Sequence, residues 1–94
     1  MSRTKAAVQK YKHASHTAWR RVESESIILD LNTSVYYSLN DTGAFIWERL
    51  GSGATVPQVA TELCVEFDVE PETAARDMDE VIAKLCSEKL LLPA

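Results

Sequence analysis

The sequence predicts a small α+β domain, a three-stranded antiparallel sheet followed by three helices in a winged helix-turn-helix-like order. Between residues 17 and 39, apolar and polar residues alternate in short runs, which is typical of strands with one buried face. Between residues 40 and 89, apolar residues recur three and four positions apart, as on one face of a helix. The 94 residues leave room for one hydrophobic core, so the helices need the sheet to cover their apolar faces.

Three strands are predicted, over residues 17–22, 26–31 and 35–39. Three aliphatic side chains alternate along one face of the second strand: Ile27, Leu29 and Leu31. The polar sequence Asn-Thr-Ser at residues 32–34 supplies the chemistry of a turn before the third strand. We therefore expect the second and third strands to form a β-hairpin over residues 26–39.

The first two helices are predicted from their boundary residues. Asn40 or Asp41 can accept hydrogen bonds from the free amides at the start of the first helix. The Gly-Ser-Gly sequence at residues 51–53 ends that helix. Thr55 can cap a second helix, and Pro57 lies in its first turn, where the missing amide hydrogen costs nothing.

The third helix is predicted to be the longest. The second helix ends near Asp68, and Pro71 opens the third, which ends at Glu88 or Lys89. The sequence Leu-Leu-Leu-Pro at residues 90–93 follows it, and these apolar residues must pack on the rest of the domain.

Charge divides the chain into two parts. Residues 1–22 carry six basic side chains and no acidic one, whereas the remainder carries 14 acidic and four basic side chains. Because residues 1–16 show no sustained period, we predict a flexible basic N-terminal arm there and a folded domain over residues 17–94. The arm is either a solvated tail or a segment that docks on an acidic partner or on a second copy of the chain.

Composition places the chain among ordinary globular proteins. Hydrophobic residues make up 46% and charged residues 26% of the sequence, close to the averages for soluble domains. No apolar run approaches the roughly 18 residues that a spanning helix needs, and no apolar stretch of a secretion signal follows the basic start. Cys64 and Cys86 fall on apolar helical stripes, as buried structural thiols do. We expect a cytoplasmic protein that does not bind membranes.

Motifs that would indicate an enzyme are absent from the sequence. His13 and His16 stand three positions apart, but no cysteine or carboxylate cluster accompanies them as further metal ligands. No phosphate-binding glycine loop occurs, and no nucleophile motif surrounds Cys64. The acidic group on the third helix, Asp77 with its neighbours 79 and 80, is typical of a solvated face. We therefore predict no catalytic residues, no metal site and no cofactor.

Several segments share a pattern with one family. They are residues 35–47 (Val-Tyr-Tyr-Ser-Leu-Asn-Asp-Thr-Gly-Ala-Phe-Ile-Trp), the glycines at 51 and 53, Thr55-Val56 opening a helix, residues 67–69 (Phe-Asp-Val) and residues 89–91 (Lys-Leu-Leu). Over residues 19–92 the chain resembles the PqqD-like family. Its most specific part is the Leu-Asn-x-Thr-Gly-Ala-x-Ile core, followed at the expected distance by the Thr-Val restart.

The resemblance implies a non-catalytic domain of the winged helix-turn-helix shape that binds the leader of a ribosomally made precursor peptide. The domain would present that leader to a modifying enzyme, either a radical-SAM maturase, as in the biosynthesis of pyrroloquinoline quinone (PQQ), or a leader peptidase, as in lasso-peptide pathways. The leader is expected to add a strand to the third strand and to pack on the third helix. The peptide-binding residues implied are Val35, Tyr36, Tyr37, Ser38, Leu39, Ala74, Met78, Val81 and Leu85.

The residues themselves favour the same site. The open edge of a three-stranded sheet can pair with an added strand, whose alternate side chains give specificity. The third helix carries two apolar stripes, and one of them could remain to line a groove: residues 74, 78, 81 and 85 form the first, and residues 75, 82 and 86 form the second. The open edge and the basic arm also allow a homodimer.

Three alternatives remain at this point: a winged-helix nucleic-acid-binding domain, an enzyme or redox protein that uses Cys64 and Cys86, and a generic adaptor. Phosphate contacts need lysine and arginine side chains. The second and third helices and their ends present only Arg76, Lys84 and Lys89, on a body that is strongly acidic. The sequence therefore predicts no nucleic-acid partner.

Overall fold

The strands and helices follow one another in the predicted order, and two short strands are added at the ends of the domain. The computed structural model describes residues 8–94. Its elements are β1 (Tyr11–His13), β2 (Thr17–Val22), β3 (Glu25–Asp30), β4 (Tyr36–Leu39), α1 (Asp41–Gly51), α2 (Val56–Phe67), α3 (Pro71–Ser87) and β5 (Leu91–Pro93). The predicted α+β class, a three-stranded antiparallel sheet followed by three helices, is confirmed.

The central sheet has the order β2-β3-β4, and both pairings are antiparallel. The turn between β3 and β4 is organised by Asp30, whose carboxylate accepts hydrogen bonds from the amides of Asn32 (2.8 Å) and Thr33 (3.2 Å). Burial alone would raise the pKa of Asp30, but these two amides and the nearby His16 outweigh it and lower that pKa. Asp30 therefore fixes the turn of the predicted hairpin as a carboxylate.

The helices begin where the sequence indicates. The Asn40 side chain accepts a hydrogen bond from the amide of Gly43 at 2.9 Å, so Asn40 rather than Asp41 caps α1. Thr55 and Gln58 form a reciprocal capping box at the start of α2. Pro71 is the first residue of α3, where proline replaces an amide that would have had no helical partner.

The core lies between one face of the sheet and the helices. In β3 the buried residues are Ser26, Ile28 and Asp30, and the Ser26 hydroxyl donates to Glu48 of α1 at 3.2 Å. The side of β3 that carries Ile27 and Leu29 therefore faces away from α1. The core consists of side chains from all three helices together with Ile28 and Leu39 of the sheet and Leu90 and Leu91 near the C-terminus.

The structure differs from the sequence prediction at the N-terminal arm. Residues 1–7 of the predicted flexible arm lie outside the described residues, but Tyr11–His13 form β1 and pair antiparallel with β5. The His13 ring stacks on Trp47 at 3.5 Å between centroids, and its Nε2 lies 2.8 Å from the Trp47 carbonyl oxygen. The C-terminal apolar residues, which had to pack somewhere, thus hold residues 11–13 on the domain.

No helix within residues 8–94 has both the length and the apolar character needed to cross a bilayer.

Candidate functional site

Within residues 8–94, no strand pairs with the outer edge of β4. The Asp30 amide donates to the Val35 carbonyl at 2.9 Å, which fixes the alternation of the β3–β4 ladder. In that alternation Tyr37 and Leu39 bond to β3, whereas Tyr36 and Ser38 direct their N–H and C=O groups away from it. The backbone groups of these two residues are therefore the ones that an added strand would meet.

The side chains of β4 divide between the two faces of the sheet. Leu39 is buried in the core, and Tyr36 and Ser38 are exposed. Tyr37 is partly buried, and its hydroxyl donates to the Glu88 carboxylate at 3.0 Å. This hydrogen bond, with burial and the charge of Glu88, raises the pKa of Tyr37 above its ordinary value of 10.0. Tyr37 thus links β4 to the C-terminal end of α3. Val35 is exposed and lies just before β4.

The helix α3 has little direct contact with β4, and we use the term groove for the concavity that lies along α3. The helix packs closely on α1, α2 and β5, and its approach to β4 is bridged by the Tyr37–Glu88 hydrogen bond. Further along, a concavity of about 160 Å³ lies between the start of α1 and the middle of α3, which is large enough for a side chain rather than one water. Its lining residues are Asn40, Thr42, Gly43, Asp77, Glu80 and Val81.

Three of the four α3 residues predicted to contact a peptide do not line the groove. Ala74, Met78 and Leu85 are each 1% exposed and pack in the core, so they offer no surface to a ligand in this structure. The physical reason is that α3 uses its 74-78-85 stripe to cover α1, α2 and β5. Of the four predicted residues, Val81 alone lines the concavity. For the other three, burial in this structure does not support the predicted peptide contact, which stays a prediction.

Sequence reasoning missed the polar wall of the groove. Asp77 and Glu80 were expected to be merely solvated, and they line the concavity beside Val81. The sequence predicts Glu88 only as a possible end of the third helix, and in the structure its carboxylate accepts the Tyr37 hydrogen bond. The available signal is spacing, because residues 77, 81 and 88 are four and seven positions apart and therefore share one helical face beside the core stripe. The carboxylates give this wall hydrogen-bond acceptors and negative charge.

The described residues offer little that would suit catalysis. Within residues 8–94, no three His, Cys, Asp or Glu side chains are grouped as metal ligands. Cys64 and Cys86 are both free thiols and partly buried. Burial raises the pKa of Cys86 above its ordinary value, which disfavours the reactive thiolate.

The profile of the family described as coenzyme PQQ synthesis protein D (PqqD) matches residues 25–91. The chain belongs to the PqqD family. The match begins at β3 and ends in β5, so it includes the β4 edge and all of α3. No protein of curated function matches the chain at a significant level.

Two solved structures are similar to this PqqD-family chain. One is TbiB1 in complex with the TbiA(beta) leader peptide, with 26% identity, a TM-score of 0.80, and coverage of 85% of this chain and 93% of that chain. The other is a lasso peptide synthetase B1 complexed with the leader peptide, with 28% identity, a TM-score of 0.81, and coverage of 89% and 99%. Both relatives were therefore solved with a leader peptide bound.

Proposed function

We propose that this PqqD-family domain binds the leader of a ribosomally made precursor peptide and presents it to a modifying enzyme, without catalysis of its own. The observation that carries the proposal is the outer edge of β4, with which no strand within residues 8–94 pairs, together with the groove along α3. The similarity of this chain to two proteins solved with leader peptides supports the same use of the site.

The leader adds as a strand at Tyr36 and Ser38. Their N–H and C=O groups make the backbone hydrogen bonds, which hold any extended peptide, and pockets for alternate side chains supply the selectivity. One peptide side chain enters the concavity beside Val81, where Asp77 and Glu80 can accept its hydrogen bonds. The hydrogen bond between Tyr37 and Glu88 joins β4 to the C-terminal end of α3.

The enzyme that receives the leader is either a leader peptidase of a lasso-peptide pathway or a radical-SAM maturase of a PQQ-type pathway. The similarity to a lasso peptide synthetase B1 favours the first enzyme, and the description of the family profile favours the second. Adding each enzyme with its precursor to the domain would distinguish them, because only the correct pair should show processing that depends on the domain.

The binding step is tested by replacing one amide on the open edge. Ser38→Pro removes an N–H that β3 does not use and places a ring where the added strand would approach. Losing one hydrogen bond costs about 1 kcal/mol, or roughly a fivefold weaker affinity, and the ring adds to this. Calorimetric titration with the leader encoded beside the gene, and with a scrambled leader, measures the effect.

The matched control is Arg21→Pro, on the opposite edge of the same sheet. The Leu31 amide bonds to the His16 carbonyl at 2.7 Å, and this register directs the Arg21 amide away from β3 as well. Arg21→Pro should leave leader affinity unchanged. If both variants fold and both bind the leader like the wild type, or if the wild-type chain does not distinguish leader from scrambled peptide, the proposal fails.

A further inference from the structure

The central sheet has a second face, on the side away from the core and from the concavity beside Val81. Direct pairing places Ala18 and Tyr36 beside Leu29, and Arg20 and Ser38 beside Ile27. Because Ser26, Ile28 and Asp30 face the core, these six residues lie on the opposite side of the sheet. We call them the outer sheet face: Ala18, Arg20, Ile27, Leu29, Tyr36 and Ser38.

The outer sheet face is apolar and uncovered within residues 8–94. Five of its residues line a concavity of about 210 Å³, namely Ala18, Arg20, Ile27, Leu29 and Tyr36. Tyr36 is 67% exposed, and Leu31 and Val22 extend the apolar surface at 55% and 45% exposure. An exposed patch of aliphatic and aromatic side chains on a small protein marks an interaction surface.

This face is continuous with the proposed peptide site. A strand added to β4 extends the sheet, so every second side chain of the leader lies on the outer sheet face, beside Tyr36 and Ser38. A protein that covers the face would therefore touch the domain and the bound leader together. That geometry fits a partner that must recognise the domain with its leader bound. A second copy of the chain would not need to contact the bound leader.

Charge on the face defines the partner further. Arg21 is paired with Glu48 of α1 at 2.7 Å, and its neighbour Arg20 makes no ion pair with residues 8–94. Arg20 is one of the residues that line the apolar concavity, and a carboxylate from a partner could form a bidentate pair with its guanidinium.

We propose that the outer sheet face is the docking surface for the modifying enzyme, which contributes an apolar patch and a carboxylate for Arg20. The proposal rests on the proposed function, because the leader bound at β4 forms one border of the interface. The enzyme thus binds the leader-loaded domain more tightly than the free domain.

The test uses the full chain in four forms: wild type, Leu29→Lys, Arg20→Glu, and the control Val65→Lys. Val65 is an apolar residue of α2 that is 82% exposed and remote from the sheet in sequence. Circular dichroism checks that each variant folds. Calorimetry measures affinity for the leader, and biolayer interferometry measures binding to the immobilised leader peptidase or radical-SAM enzyme encoded beside the gene, with and without saturating leader.

We expect Leu29→Lys and Arg20→Glu each to weaken enzyme binding at least tenfold, because each places a charge against the partner that the interface cannot accommodate. Both should bind the leader within twofold of wild type, and Val65→Lys should match wild type in both measurements. Leader should tighten enzyme binding of the wild-type chain at least threefold.

Three results would overturn the docking surface. The first is enzyme binding by both sheet variants at wild-type affinity, and the second is no binding of either enzyme by the wild-type chain. The third is a wild-type dimer in sedimentation that Leu29→Lys converts to a monomer without loss of enzyme binding, which would assign the face to a second copy. Failure of the wild-type chain to bind leader would instead refute the proposed function, and enzyme binding by the free domain would still test the face.

Discussion

The assignment of Met78 to the core and of Val81 to the groove predicts opposite effects of shortening each side chain. Met78 is 1% exposed and packs among the core residues. Replacing a fully buried methionine by alanine costs about 2–5 kcal/mol, through lost burial and the cavity left behind. A small domain has a free energy of unfolding of about 5–15 kcal/mol, so Met78→Ala removes a large share of it. At about 4–8 °C per kcal/mol for a domain of this size, a loss of 3 kcal/mol lowers the melting temperature by about 12–24 °C.

Val81 is only partly buried and lines the groove, so Val81→Ala should cost about 1 kcal/mol of stability or less and should weaken leader binding. Urea unfolding followed by circular dichroism gives both stabilities, and calorimetry below the unfolding transition gives both affinities. Met78→Ala should bind the leader normally while folded. The reasoning is refuted if Met78→Ala is as stable as wild type but loses the leader, because Met78 would then lie in the groove.

Three further predictions concern the N-terminal strand and the helix ends. A Cβ at Gly51 would overlap the His13 ring, so Gly51→Ala should destabilise the wild-type protein by about 1–3 kcal/mol. In a His13→Ala background the same substitution should be neutral or should stabilise the protein by up to about 1 kcal/mol. Equal effects in the two backgrounds, measured by urea unfolding, would contradict this contact. Burial lowers the pKa of His13 below its ordinary value of 6.5, against opposing effects of the Trp47 carbonyl and Glu48. The stability that the neutral His13 side chain contributes is therefore full above about pH 6.5 and is lost as the pH falls through the lowered pKa. The wild-type protein should lose more stability than His13→Gln between pH 7.5 and 5.5. Parallel curves of stability against pH for the two proteins would argue against a lowered His13 pKa. Asn40→Ala should cost about 1 kcal/mol through loss of the α1 cap and Asn40→Asp much less, so that equal melting temperatures for Asn40→Ala and wild type would count against the cap.

Local signals in the sequence predicted most of the fold. The caps at Asn40 and Thr55 and the proline at the start of α3 act within one helical turn, so the sequence alone fixes where those helices begin. The β1–β5 pairing was missed because each strand is three residues long, too short for a period, and its partner lies about 80 residues away. Nothing in the residues near Tyr11 indicates that the C-terminal leucines will cover them.

The candidate site shows a different limit. The β4 edge was predicted from strand propensity, and the pairing register then narrows five predicted residues to the two free backbones of Tyr36 and Ser38. On α3, the period identifies which residues share a stripe but not which stripe faces the core, because both stripes are apolar. The choice depends on the neighbouring elements, and they bury the stripe that contains Met78.

The turn at Asp30 links the local signals that determine the fold to the position of the candidate site. Asp30 alternates with Ile28 and Ser26 on the core side of β3. The strand pattern alone would thus place a carboxylate in the core, which counts against predicting a strand over these residues. The amides of Asn32 and Thr33 satisfy that carboxylate and hold the turn before β4. The turn sets the register of β4, and the register decides which amides remain free at the edge. A buried aspartate that looks like an exception to the strand pattern therefore determines where a peptide strand can be added.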